Sequence, residues 1–470
     1  MSPRSLLPHH RGAGKAASGS ERGAKQRPIL RRRGMRRFTI VAAVATGLAV
    51  TAAACGSGGS GGGGSAASAP GITSTQILIG SHQPLTGVAA PGYSEIAPAS
   101  NAYFKYVNAH GGVYGRKIVY KYLDDAYDPA KTSSVVRQLV LQNNVFAIFD
   151  GLGTPTHLAA VNFLNAQKVP DPFVASGCEC WNSPQSYPET FGWQLDYVRE
   201  GKILGQYVAK NFAGKKVAYF YQNDEFGQDG VKGLDYEIPH SMVVSRQNYQ
   251  PTNVNVGPQV AALRASGAQV IVSFSVPAFT ALLKLAMLKL AYNPQLVVSD
   301  VGEDPITLGG LLQAFAKQGG ASVNGNALTN GIISDGYLPS VGDASNSWIA
   351  LFKKIHDQYD ASAPFDGNVL FGEAVAYAFV QGMLKAGKNP TRSGLVSAIQ
   401  GGLPQGPAIA PYAFSASNHA GITGAYMGVI RNGVFVQQGP VLTTDTTQSG
   451  AVTTYSGSEQ QAPASGIASP

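Results

Sequence analysis

The chain has 470 residues, of which 44% are hydrophobic and only 13% charged, with a formal net charge of +8. That apolar share excludes wholesale disorder, the length suits two or three domains of roughly 100–200 residues, and no uninterrupted apolar run near the roughly 18 residues of a membrane span follows residue 55, which excludes a polytopic membrane protein. The positive charge sits at the start: residues 1–37 hold eleven Arg and Lys against Glu21 alone, leaving 24 basic and 26 acidic residues for the rest, a composition that argues against a nucleic-acid binder.

Residues 38–54 form an uncharged apolar stretch directly after Arg36-Arg37 and end in Ala52-Ala53-Ala54-Cys55. A basic start, a short apolar run and a small-residue end predict a secretory signal peptide. The small residues before Cys55 resemble a bacterial lipobox, with Ala where Leu is usual, so residues 1–54 are expected to be a removed leader and Cys55 the lipidated N-terminus; an uncleaved anchor helix is the alternative. Met35 is also a natural start, and starting there would drop residues 1–34. Residues 55–75 are lipidated Cys and Gly/Ser-rich tether, too poor in apolar side chains to form a core.

From residue 76, strand-like runs alternate with helical patterns. Strands are predicted at 76–81, 117–123, 145–150 and 173–176, with helices at 95–109, from Asp128-Pro129 onward, and at 156–167. Asp as N-cap with Pro as first helical residue marks the second of these helices. A second series follows: strands 215–221, 241–248, 269–275 and 295–299, with helices 225–237, 257–266 and 277–291. This alternation predicts an α/β fold with two doubly wound, Rossmann-like lobes. Helices at 345–359, 369–387 and 391–400 come next, then a hairpin turning at Asn432-Gly433. Residues 438–470, rich in Thr, Ser, Gly, Ala and Gln, are expected to be a disordered tail.

In open parallel sheets ligands bind where strands end and helix N-termini present free N–H groups. The segments so placed are Pro84–Gly87, Gly151–Thr156, Ala175–Gly177, Asp224–Gly227 and Asp300–Glu303. Cys178 and Cys180 are the only cysteines after Cys55. Two extended residues put Cα atoms about 6.6–7.2 Å apart, at or beyond the bridging limit, so a disulfide needs a tight turn there and two free thiols stay open. Zinc is disfavoured because no second pair or His cluster stands nearby. Enzyme patterns are wanting: Gly151-x-Gly153 lacks the third glycine of a dinucleotide site, and there is no phosphate loop, HExxH or GxSxG. The acidic run Asp124-Asp125-Ala126-Tyr127-Asp128 suits a solvated loop whose last Asp caps a helix. A Cys178–His157 nucleophile pair lacks an orienting third group.

Several stretches resemble the type I periplasmic solute-binding proteins, in particular the branched-chain amino-acid receptors: Pro84-Leu85-Thr86-Gly87, Asn108-Ala109-His110-Gly111-Gly112-Val113-Tyr114-Gly115-Arg116-Lys117, Asp124-Asp125 with Asp128-Pro129, Tyr221–Gly227, and Gly433-Val434-Phe435. The resemblance implies two lobes joined by a three-strand hinge, with lobe one at 76–194 plus 337–410 and lobe two at 195–336 plus 411–437. It further implies no cofactor and no catalysis, a small-molecule ligand in the cleft, an ABC transporter permease as partner, and an extracytoplasmic place on the membrane through the lipid anchor. A ligand sensor on the same fold is the alternative. Carried over by position, Thr154 and Thr156 would hold a ligand carboxylate, or else cap their helix. Ser176 and Gly177 would give further polar contacts, Phe226 would close over the ligand or else pack in the core, Asp300 or Glu303 would receive its ammonium or else cap the helix that begins near Pro305, and Tyr93 would stand near the side-chain wall. Gln194 and Asp196-Tyr197 depart from the family pattern, so the ligand need not be Leu, Ile or Val.

Overall fold

The computed structural model describes residues 69–469; Cys55, the leader and most of the tether lie outside them. The first sheet begins with strands β1 (Gln76–Gln83) and β2 (Lys117–Asp124), paired in parallel from Gln76↔Lys117 to Gln83↔Asp124. On the other side of β1 runs residues 145–150, whose amides reach Leu78 and Gly80 on one flank and Pro170 and Pro172 on the other. Beyond it lie β3 (Asp171–Val174) and β4 (Thr190–Gly192), again parallel. The 145–150 segment therefore occupies a strand's place, as its apolar run predicts. Its regular ladder is interrupted where Asp150 takes a positive φ of 56°, which leaves one bridge, Gly80↔Ile148.

The second sheet has eight strands in the order β12-β11-β10-β9-β8-β7-β5-β6. Its parallel half comprises β5 (Val217–Gln222), β6 (Val243–Tyr249), β7 (Val270–Phe274), β8 (Gln295–Val298) and β9 (Ile333–Gly336). Every residue of β7 is buried, as a strand covered by helices on both faces requires. β10 (Gly424–Arg431) and β11 (Val434–Thr443) form the hairpin, with positive φ at both Asn432 and Gly433, and β12 (Thr453–Thr454) closes the edge. β9 escapes the sequence reading because four buried residues inserted between distant strands carry no local signal. The helix Tyr197–Asn211 was also not anticipated, although Asp196 caps it through a bond from Arg199 N. Helix Gly367–Ala386 is long and apolar enough to cross a membrane, yet 89% of its apolar window is buried in the protein core.

Two expectations are corrected here. The tail is not loose. β11 continues to Thr443, and the chain beyond it is held by side-chain donors that satisfy its carbonyls. The Lys202 Nζ donates to the main-chain oxygens of Asp445 (3.0 Å), Thr447 (2.6 Å) and Gly450 (2.6 Å). Farther on, Trp348 Nε1 donates to Gln460 O (2.6 Å), Tyr106 Oη to Ser465 O (2.7 Å) and Tyr103 Oη to Gly466 O (3.0 Å). Composition reports only what a segment can bury by itself; it says nothing of donors waiting on a neighbouring helix. The acidic loop is likewise not wholly solvated. Asp128 caps its helix through Ala130 N (2.9 Å), but Asp125 is fully buried against His82.

Candidate ligand-binding site

Between the two lobes lies a cleft of about 1020 Å³, counting its open mouth. One wall is built on the loop Gly151–Thr154 between the 145–150 segment and helix Thr154–Ala166. Gly153 is the N-cap, with φ 99° and no side-chain cap. A Cβ there would meet Thr156 Oγ1 and the Tyr127 ring, both at 2.5 Å, so only glycine fits. The loop rests on a buried relay. His82 Nδ1 pairs with Asp125 (2.8 Å), His82 Nε2 with His157 Nδ1 (2.9 Å), and His157 Nε2 with Asp171 (2.7 Å). Gly151 sits on both imidazoles, where a Cβ would come within 2.5 Å of His82 and 2.7 Å of His157.

Thr154 lines the cleft, and its hydroxyl is bonded to Ser176 Oγ (2.6 Å). Tyr93, Phe226, Asp300 and Glu303 also line it. Thr156, Ser176 and Gly177 do not, and their expected direct roles are corrected accordingly. The Thr156 hydroxyl turns back one helical turn to Leu152 O (2.5 Å), Ser176 stands behind Thr154, and Gly177 is packed against the Tyr197 ring. Neither threonine caps the helix; Pro155 has no N–H and His157 N donates to Gly153 O, so in the first turn only the Thr154 and Thr156 amides lack a hydrogen-bond partner among the described residues, with Thr154 on the cleft wall. Cys178 and Cys180 are joined in a disulfide; the short 3₁₀ turn Glu179–Trp181 brings their Cα atoms to 5.1 Å. His157 has both ring nitrogens committed, so no Cys–His pair exists.

The opposite wall is acidic. Asp300, Glu303 and Asp304 line it, and the cleft wall holds no Lys, Arg or His among the described residues. Behind Asp300 lie Glu200 and Asp335, whose carboxylates accept from the Asp300 amide at 2.9 and 3.3 Å. Burial, then the neighbouring Glu200, pushes Asp300 up to about 8, and burial pushes Glu200 up to about 7. Glu303 is held well above the carboxylate range by burial first, then by Asp300 and Asp304.

Most other polar groups on the wall are already engaged. Tyr93 Oη donates to Val301 O (2.5 Å), Tyr426 Oη to Leu338 O (3.0 Å) and Ser340 Oγ to Phe435 O (2.6 Å). Gln194 and Tyr197, noted above as departures from the family, both line the cleft. Tyr127, Tyr337 and Phe371 were missed; their only signal was position, since each reaches the cleft from an element whose neighbours are set by the tertiary fold.

The periplasmic binding protein family model matches residues 76–434. The chain belongs to that family. Relatives and structural neighbours of the chain include proteins named for Leu/Ile/Val binding and branched-chain amino acid transport. A relative named Leu/Ile/Val-binding protein homolog 7 from Brucella suis is 26% identical over 240 residues, which are 49% of this chain and 59% of that protein. The chain thus spans little more than half the length of that relative. A fatty acid ABC transporter substrate-binding protein from Thermomonospora curvata superposes with TM-score 0.67 at 22% identity, covering 79% of this chain and 94% of that one. A branched-chain amino acid ABC transporter protein from Thermus thermophilus with bound valine gives TM-score 0.68 at 18% identity, covering 80% and 98%. These likenesses establish the shared fold of this periplasmic binding protein.

Proposed function

We propose that this periplasmic binding protein captures an amino acid, or a related small carboxylate or amide, between its lobes and delivers it to an ABC permease, anchored to the outer face of the membrane by lipid on Cys55. Lobe one comprises 76–194 plus 337–410 and lobe two 195–336 plus 411–437. The observation that carries the reading is the polarity of the cleft. An uncapped helix N-terminus with Thr154 stands on one wall and buried carboxyls stand on the other, with no cationic side chain on the wall among the described residues. That arrangement complements a zwitterion: the helix end suits a carboxylate and the acids suit an ammonium.

Bonds that cross the cleft support a closing hinge. Tyr93 reaches Val301 O, Gln222 Nε2 reaches Tyr127 Oη (3.1 Å), and Asp304 accepts from Gly367 N (3.0 Å). A ligand touching both walls adds to these only in the closed state and so shifts the population toward it. A thermal-shift screen of amino acids, small carboxylates and fatty acids against the purified chain tests the proposal. A ligand at 100 times its dissociation constant should add about 2.7 kcal/mol of stability. Stabilisation by fatty acids alone, or by no compound in the set, would overturn it.

A further inference from the structure

We propose that the solute carries a second nitrogen donor, an amide NH2 or a side-chain cation, besides its α-ammonium, and that Glu303 receives it. This rests on the amino-acid reading above and deepens it. Three carboxyls face the cleft, and their hydrogen-bonding states differ. Asp304 is spent on the protein, taking Thr307 N on Oδ1 (2.8 Å) and Gly367 N on Oδ2 (3.0 Å). Asp300 lines the cleft with its backbone amide donating to Glu200 and Asp335 behind it, so its own carboxyl is the one placed to meet an ammonium. Glu303 is separate. It is 7% exposed, and its Oε2 has no hydrogen-bond partner among the described residues. Tyr426, the hydroxyl in its electrostatic neighbourhood, is already donating to Leu338 O.

A buried carboxyl oxygen with nothing to bind is costly, and native structures leave few such atoms without a reason. Here the atom belongs to a cleft-lining residue, so a ligand can supply the missing donor. An aliphatic amino acid offers one ammonium and would set a methyl group against Glu303. A site built to bond a polar group rejects the analogue that lacks it far more strongly than an apolar site rejects a missing methylene. An amide or terminal ammonium satisfies the glutamate and leaves the aromatic walls to contact the intervening methylenes.

The test is isothermal titration of the full chain with lysine, glutamine and norleucine, which retains the lysine backbone and methylenes without the terminal ammonium. The tighter of lysine and glutamine should bind at least tenfold more strongly than norleucine, and Glu303→Gln should shrink that ligand's advantage over norleucine at least tenfold. Should the variant fail to fold, the wild-type ratio alone decides. Norleucine binding within tenfold of the better polar ligand overturns this inference while leaving the amino-acid reading intact. A chain that binds none of these, nor any other amino acid, overturns both.

Discussion

Asp300 and Glu200 illustrate how single side chains couple this cleft to pH. Their folded values near 8 and 7 lie far above the roughly 4 expected in an unfolded chain, with burial as the first cause. A carboxyl raised on folding binds more protons in the native state than in the unfolded one. Its contribution to stability is therefore fully present below about pH 4 and is lost as pH rises through 7 and 8. Asp366, up to about 8, and Asp229, up to about 7, act with the same sign. The melting temperature of the ligand-free chain should fall progressively between about pH 4 and pH 8 and level off above it, and a bound amino acid should flatten the fall because its ammonium replaces the lost proton. Scanning calorimetry across that range checks both; a level profile without ligand would mean that water already solvates these carboxyls. Their chemistry was partly legible, since Asp300 and Glu303 follow a predicted strand. Glu200 was not, because it lies inside a helix and only the fold carries it behind Asp300.

At the scale of elements, the loop Gly151–Thr154 shows what a helix terminus requires when no side chain caps it. The Asp125–His82–His157–Asp171 relay fixes it from beneath, with all four residues fully buried. Each outer ring nitrogen faces a carboxylate and carries hydrogen when that carboxylate is ionised. The 2.9 Å contact between the two rings needs a hydrogen on one of the facing nitrogens, or two lone pairs would meet. The relay is thus a continuous buried chain of hydrogen bonds between two acids, with burial holding His82 toward its neutral form. His157→Ala would leave Asp171 Oδ2 only the Thr190 hydroxyl and leave His82 Nε2 without a partner. By the cost of unsatisfied buried polar groups and a lost buried ring, it should lower stability by about 2–4 kcal/mol in urea unfolding; a loss below about 1 kcal/mol would show that the relay does not hold the loop. The periodicity of the helix and its start near residue 156 were evident in the sequence. The relay was not, because its members come from β1, the loop after β2, the helix itself and β3, and no spacing along the chain announces that meeting.

At the scale of the whole molecule, the C-terminal strap connects parts that the proposed lobes would separate. It meets Arg199 and Lys202 on helix Tyr197–Asn211, then Trp348, Tyr106 and Tyr103 on helices of the other lobe. Lys202 has no exposed side-chain surface, so its ammonium depends on the strap for its hydrogen bonds. Removing residues 444–470 should destabilise the chain by several kcal/mol, because the buried Trp348, Tyr106 and Tyr103 donors lose their acceptors at about 1 kcal/mol each and the packing of the strap is lost. Adding Lys202→Met to the truncated chain should recover little, because water replaces the strap around the Lys202 ammonium. Denaturant titration of the three chains checks this, and equal stability of full and truncated forms would reduce the strap to surface dressing. The alternation of strands and helices, the capping aspartates and the Asn-Gly turn were determined by the sequence alone, because each depends on hydrophobic periodicity or on bonds between near neighbours. The cleft's acids, the histidine relay and the ordered tail were decided by tertiary structure, since burial and hydrogen-bond partners depend on which distant segments meet and on how little water is left between them.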